Sequence, residues 1–191
     1  MNSILYIDAT ARANSRTKIL ADHLLSKLDG KITHITLCRE NIIPLFGDTL
    51  KWRSECAKNK DFSDKYFRHA KQFAEADLIV MAAPYWDSSF PAALKKYIEA
   101  VSVYNLTFRY SSEGNPVGLC KAKKLYYVTT AGGYVCDTYG YGYISELAKT
   151  MFGINETMLF KAEGLDITGA DTVAIIENAI RKIDEEFYGG V

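Results

Sequence analysis

Short apolar runs alternate with helical stripes along the chain, and this alternation limits the possible folds more than any other feature of the sequence. The apolar runs are short and rich in Ile, Leu, Val, Met and Tyr, as strands covered on both faces should be, and they occupy residues 4–8, 32–37, 78–83, 125–130 and 158–162. The helical stripes repeat every three or four residues and comprise Leu20, Leu24, Leu25 and Leu28, then Leu94, Tyr97, Ile98 and Val101, then Val173, Ile176, Ile180, Ile183 and Phe187. Because crossovers between parallel strands are right-handed and cover the sheet, the pattern predicts five parallel strands with helices on both faces.

This arrangement is an α/β fold of the flavodoxin-like, doubly wound type, with three layers in the order α/β/α. Two stretches fall outside the alternation, residues 38–60 and residues 106–123. Both are long enough to be functional loops, and the second, which contains TFRYSSEGNPVGL, is expected to form a small hairpin. Since no repeat or Pro/Ser-rich linker divides the chain, we predict that residues 1–191 form a single domain.

The charge and cysteine patterns exclude several classes of function. Lys and Arg together number 23, as do Asp and Glu, and no basic stripe of the kind that nucleic-acid binders need is visible. The four cysteines form no CxxC pair and have no histidine at metal-ligand spacing, so we expect reduced thiols and no metal site. No apolar run approaches the ~20 residues of a membrane helix, and MNSILYIDAT has no basic leader region. We therefore expect a cytoplasmic protein that binds neither nucleic acid nor membranes.

The first strand is followed by residues suited to a phosphate group. Ligands of open α/β sheets bind at the carboxyl ends of the strands, and here Thr10, Ser15 and Thr17 supply hydroxyls and Arg16 a cation. Free backbone N–H groups and the helix dipole favour an anion at such a helix start. The alternative is that Asn14 or Ser15 only caps the helix. The chain has no GxGxxG or GxxxxGK[ST] motif here, which argues against a Rossmann dinucleotide site or an ATP-binding P-loop.

The third and fourth strands are followed by residues suited to a flat ring. Residues 84–88, PYWDS, place two aromatics in a turn, where they could flank a planar ligand or only pack against the core. Residues 129–134, TTAGGY, contain paired glycines that permit close backbone approach, although many such pairs are simple turns. The topology brings all three strand ends together. A phosphate pocket beside a planar-ring pocket describes FMN.

These segments also resemble a known family, the FMN-dependent NADH-azoreductases and NAD(P)H:quinone oxidoreductases, which have a flavodoxin-like fold. The strongest match is PYWDSSFPAALK at residues 84–95, which is similar to the family's P-M-Y-N-F-x-I-P-x-x-L-K without a gap. The shorter matches include TFRY at 107–110, Gly118-Leu119, and TAGG at 130–133, which is similar to the family's S-R-G-G. In addition, SRT at 15–17 is similar to the family's phosphate-binding S-x-S, and residues 41–50 are loosely similar to its P-L-P-x-x-D-G-x-L.

The resemblance implies an enzyme with FMN as cofactor, NADH or NADPH as electron donor and a quinone or azo compound as acceptor. Hydride would pass through flavin N5 in a ping-pong sequence without a catalytic protein side chain, so His23, His34 and His69 are expected to have structural or surface roles. A homodimer is implied as well. The apolar residues within 38–60 would suit a partner surface, and the alternative is that this stretch folds onto its own domain. Position by position, the resemblance places FMN against Thr10, Ser15, Arg16, Thr17, Pro84, Tyr85, Trp86, Asp87, Ser88, Thr130, Ala131, Gly132 and Gly133.

The chain departs from the family pattern at three positions near this site. Asp87 stands where the family usually has Asn, and a carboxylate beside a reduced, anionic flavin would lower its reduction potential. Ala131 replaces the usual Arg, and Val135 replaces a His that often follows the glycine pair. Two alternatives to the enzyme are a flavodoxin-type electron carrier and a flavin-binding module without turnover. The neutral charge and the absence of a T-x-T-G-x-T loop argue against the carrier.

Overall fold

The computed structural model describes residues 2–188 and contains the predicted parallel sheet. Its strands follow the order β2-β1-β3-β6-β7, and every neighbouring pair in this sheet is parallel. This is the flavodoxin-like order of a doubly wound sheet. The strands β4 and β5 form a separate antiparallel hairpin, which confirms the hairpin predicted within residues 106–123. The strands are β1 Ser3–Asp8, β2 Lys31–Thr36, β3 Leu78–Ala82, β4 Phe108–Tyr110, β5 Pro116–Gly118, β6 Lys124–Thr130 and β7 Glu156–Ala162.

Helices cover both faces of the sheet. Successive residues of a strand point to opposite sides, so each face packs its own set of side chains against its helices. On one face, Ile4 and Tyr6 of β1 pack in a cluster with residues of α1 and α6. On the other face, Leu5 and Ile7 share a cluster with residues of α2, α3, α4 and α5. The predicted three-layer architecture is thus confirmed. The helices are α1 Arg16–Ser26, α2 Gly47–Asn59, α3 Arg68–Glu75, α4 Ala92–Val101, α5 Tyr141–Leu147 and α6 Thr172–Tyr188.

The prediction of a loop over residues 38–60 is wrong for most of that stretch, because Gly47–Asn59 form α2. This helix buries only Arg53 and Ala57, so its sequence shows no apolar stripe. The loop before it is partly anchored, since Ile42 is buried, whereas Phe46 is 67% exposed.

The register of the sheet brings the ligand-binding segments to one edge. Asp8 pairs with Ala82 at the ends of β1 and β3, and Ala82 pairs with Val128 near the end of β6. The loops that follow these strands therefore leave the sheet side by side. Among residues 2–188, no helix is long and apolar enough to cross a membrane.

Candidate functional site

A cleft of about 510 Å³ lies at this edge of the sheet. It brings together the three segments singled out from the sequence, through residues 15–17, 84–86 and 130–132. Four further residues also line it. They are Ala11, Arg12, Asn14 and Asp166.

One end of the cleft is the N-terminus of α1. Ser15 is the N-cap residue, with extended backbone, and its Oγ accepts a hydrogen bond of 3.4 Å from the Lys18 N–H. The Arg16 and Thr17 N–H groups lie in the first turn, where the helix itself offers them no acceptor. Unpaired donors together with the positive end of the helix dipole attract an anion. Ser15 therefore caps the helix and also lines the cleft, so the two interpretations of this residue are compatible.

A buried pair of hydroxyls joins α1 to β6 beside this helix start. The Thr17 and Thr130 Oγ1 atoms are 2.6 Å apart, and Thr17 is fully buried. One hydroxyl donates to the other, so a single proton of the pair remains for a ligand. The pair fixes the helix start relative to the sheet.

An ion pair in the cleft lining joins α1 to the loop after β7. The Arg16 Nη2 lies 2.8 Å from the Asp166 Oδ1, and its Nη1 donates to the Leu165 carbonyl at 3.3 Å. The Asp166 Oδ2 lies so close to Gly132 that a Cβ there would overlap it. Gly132 therefore makes room for this carboxylate, whereas the sequence suggested that the glycine makes room for a ligand. The sequence prediction does not include Asp166, because it rests on the residues that follow β1, β3 and β6, whereas Asp166 follows β7.

The other end of the cleft is aromatic. Tyr85 is held from two sides, since its N–H donates to the Thr130 carbonyl at 3.0 Å and its hydroxyl accepts from the Cys136 N–H at 3.1 Å. Trp86 is 40% exposed and also lines the cleft. Backbone hydrogen bonds of 2.9 and 2.8 Å between Trp86 and Ser89 close the turn that follows. Two aromatic side chains are thus presented at the opening.

The tip of that turn is not part of the cleft lining. Asp87 and Ser88 have φ angles of 49° and 63° and are exposed. Both central residues of such a two-residue turn take the left-handed conformation, which Asp and Asn adopt more readily than most residues. Local backbone geometry therefore accounts for an Asp or an Asn at position 87. The predicted effect of Asp87 on a flavin potential stays a prediction.

Two more predicted residues lie outside the cleft lining. The Thr10 hydroxyl donates to the Asp8 Oδ1 at 2.7 Å, so its proton is directed away from the cleft. The Gly133 carbonyl accepts from the Gly164 N–H at 2.8 Å, and the space where a Cβ would lie is open. Direct contacts from Thr10 or Gly133 to a ligand stay predictions.

The residues of the cleft fit FMN. The volume of the cleft lies within the ~300–1,000 Å³ typical of small-molecule sites. Helix N–H groups, hydroxyls and the cations of Arg12 and Arg16 lie at one end, and the rings of Tyr85 and Trp86 lie at the other. This is a donor set for a phosphate ester joined to a planar ring system.

Comparison with known proteins agrees with this geometry. A family model described as flavodoxin-like fold matches residues 2–187. FMN-dependent NADH:quinone oxidoreductase 2 of Clostridium acetobutylicum is 36% identical, with 97% of this chain and 98% of the relative covered. The FMN-dependent NADH:quinone oxidoreductase of Clostridium beijerinckii is 34% identical with the same coverage. This chain belongs to the flavodoxin-like family of FMN-dependent NADH:quinone oxidoreductases.

Solved structures confirm the fold of this family member. The azoreductase from Bacillus anthracis str. Sterne superimposes with a TM-score of 0.84 at 20% identity, covering 99% of this chain and 100% of that one. An FMN-dependent NADH-azoreductase from Bacillus anthracis str. Ames Ancestor, solved in complex with FMN, gives a TM-score of 0.82 at 20% identity, with 98% of both chains covered. The family resemblance inferred from the sequence motifs is confirmed.

Proposed function

We propose that this protein is an FMN-dependent NADH:quinone oxidoreductase that also accepts azo compounds. The observation that carries the proposal is the cleft itself, which has an anion-binding helix start at one end and the rings of Tyr85 and Trp86 at the other. Membership of the family supports it, because the relatives from Clostridium acetobutylicum and Clostridium beijerinckii carry this activity in their names.

Different side chains of the cleft would hold different parts of FMN. Bound FMN would supply the redox chemistry, which is hydride transfer from the nicotinamide to the acceptor. The first turn of α1, with Ser15, Thr17 and Arg16, would hold the phosphate. Tyr85 and Trp86 would flank the ring system and the acceptor. The same proposal includes FMN contacts from eight further residues. Four of them line the cleft, namely Pro84, Thr130, Ala131 and Gly132, and four do not, namely Thr10, Asp87, Ser88 and Gly133.

The lining supplies no acid–base pair of its own. Its ionisable side chains are Arg12, Arg16, Tyr85 and Asp166, and the last two are engaged in the hydrogen bond and the ion pair described above. Protons for the reduced acceptor would come from solvent at the open side. The protein's contribution is binding and orientation, which suits a ping-pong exchange of donor and acceptor in one cleft.

A flavodoxin-type carrier is not favoured. Such carriers are expected to be strongly acidic, whereas this chain has a formal net charge of zero, and the relatives are named as oxidoreductases.

The proposal also covers domain organisation, assembly and location. Residues 1–191 form a single FMN-binding domain, and two copies of the chain form a homodimer in the cytoplasm. The loop before α2 and the helix itself expose Ile43, Phe46, Leu50 and Trp52 by 38–67% of their surfaces. Apolar side chains grouped in this way typically mark an interface. Sedimentation equilibrium of the wild type and of Phe46→Glu tests the assembly: we expect a dimer that the charge weakens, and a monomeric wild type would contradict it.

Turnover with defined reactants tests the function. Purified protein with added FMN should oxidise NADH rapidly when menadione is present and slowly when it is absent. Substituting NADPH measures donor preference, and an azo dye in place of menadione tests the second acceptor class. FMN binding without menadione-dependent NADH oxidation would overturn the proposal in favour of a binding module.

A further inference from the structure

A buried carboxylate lies beneath the segment that enters the cleft. Asp8 is the last residue of β1 and is 3% exposed. It does not line the cleft, and the proposed reaction gives it no role. Burial of an ionised carboxylate is costly unless hydrogen bonds compensate it, so its partners indicate what it does.

The contacts of Asp8 are directed at the loop that leads to α1. Its Oδ1 accepts from the Thr10 N–H at 2.9 Å and from the Thr10 hydroxyl at 2.7 Å. Its Oδ2 lies 3.4 Å from the Nε2 of His34 on the neighbouring strand β2. The His34 ring stacks on Tyr6 with centroids 4.4 Å apart. The carboxylate therefore receives its hydrogen bonds from Thr10 on the loop side and lies at a longer distance from His34 on the sheet side.

This geometry determines how the chain leaves the sheet. A side-chain oxygen that accepts from the N–H two residues later forms an Asx turn, which bends the backbone. The residues that follow this turn line the cleft at Ala11, Arg12 and Asn14 and end at the helix cap. The bend therefore precedes the segment that leads to the first-turn N–H groups of α1.

We propose that Asp8 is a positioning residue for the phosphate end of the cleft, which it serves by fixing the turn at Thr10. This inference rests on the proposed function, since it concerns the FMN phosphate. The carboxylate acts through the loop, because its own negative charge would repel a phosphate. An amide at position 8 keeps an oxygen that can accept both Thr10 hydrogen bonds, whereas a methyl group removes it.

Comparison of FMN with riboflavin isolates the phosphate contribution. Both dissociation constants are measured by flavin fluorescence quenching on the full chain, for the wild type, Asp8→Ala and Asp8→Asn. We expect Asp8→Ala to weaken FMN binding about tenfold or more, the scale of one hydrogen bond to a charged group, and to change riboflavin binding less than about twofold, because riboflavin has no phosphate. Asp8→Asn should retain the wild-type preference for FMN.

Ser3→Ala is the matched control. Ser3 begins the same strand, and its hydroxyl donates to the Asp77 Oδ2 at 2.9 Å at the far end of β1. This variant should lose a strand-end hydrogen bond while it keeps the ratio of FMN to riboflavin affinity. A lower ratio in this control would assign the effect to general loosening of β1 and overturn the inference.

Thr10→Val provides a second route to the same interaction. It removes the hydroxyl donor and keeps the N–H, so the ratio of FMN to riboflavin affinity should fall. In the double variant with Asp8→Ala, this ratio should be no lower than in Asp8→Ala alone. An unchanged ratio in Asp8→Ala, or in Thr10→Val if Asp8→Ala does not fold, would overturn the inference. Equal loss of FMN and riboflavin binding would overturn it as well. A wild type that binds both flavins equally would instead contradict the phosphate site of the proposed function.

Discussion

Removing one hydroxyl of the Thr17–Thr130 pair should destabilise the protein more than removing both. The two oxygens are 2.6 Å apart, and the residues are 0% and 7% exposed. Thr17→Val keeps the branched shape but leaves the Thr130 hydroxyl buried without this partner. An unsatisfied buried polar group costs about 1–3 kcal/mol, which for a chain of this size lowers Tm by about 2–4 °C per kcal/mol. Replacing both threonines removes the unsatisfied group together with its partner, and this exchange can be nearly neutral.

Urea unfolding of flavin-free protein, followed by tryptophan fluorescence, measures these free energies. The set comprises the wild type, Thr17→Val, Thr130→Val and the double variant. We expect each single variant to lose about 1–3 kcal/mol and the double variant to lose less than either single variant, a departure from additivity that is expected of residues in contact. FMN titration of the same variants tests the ligand side, where Thr17→Val should lose about 1–3 kcal/mol of binding if a charged acceptor is left short of a donor.

A double variant that loses as much as the single variants, or more, would refute this reasoning. It would mean that each hydroxyl contributes through other partners and that the pair does not connect α1 with β6.

Three further variants test other parts of the site and the sheet. Arg16→Gln should weaken FMN binding while hardly changing the free energy of unfolding, because partly exposed ion pairs contribute about 0–1 kcal/mol; a large loss in urea unfolding would contradict it. Gly132→Ala should displace the Asp166 carboxylate and lower both Tm and FMN affinity, and wild-type values would show that the loop moves freely. The pKa of Asp77 lies below its ordinary value of 3.8, chiefly through the hydrogen bond from Lys121, so its stabilisation is present above that pH and is lost as the pH falls. Asp77→Asn should therefore flatten the acid side of the stability profile, and an unchanged slope would contradict this.

The central strands of the sheet could be predicted from sequence because they are covered on both faces. The runs around Tyr6, Val80 and Tyr127 are continuously apolar for that reason. Helix α2 could not be predicted in the same way, since it buries only Arg53 and Ala57 and most of its other residues are exposed. An apolar stripe appears only where a helix has a core to face.

The candidate site was predictable where its residues follow strands directly. Ser15 and Tyr85 line the cleft as expected, because the parallel topology brings their loops together. The placement of Asp166 in the site depends on an ion pair with Arg16, a residue 150 positions earlier. No local sequence pattern marks such a pair. The role of Asp8 is likewise visible only through its contacts, and the exposure of Asp87 follows from a turn geometry that the motif alone does not show.

The most direct test of the central claim is a titration of flavin-free protein with FMN, followed by fluorescence quenching and the visible absorbance of the bound flavin. The cleft at the carboxyl ends of β1, β3 and β6 predicts saturable binding of one FMN per chain, tighter than that of riboflavin because the first turn of α1 is proposed to hold the phosphate. It also predicts weaker binding in Arg16→Gln. The absence of saturable FMN binding, or binding that is indifferent to both the phosphate and Arg16, would contradict the account.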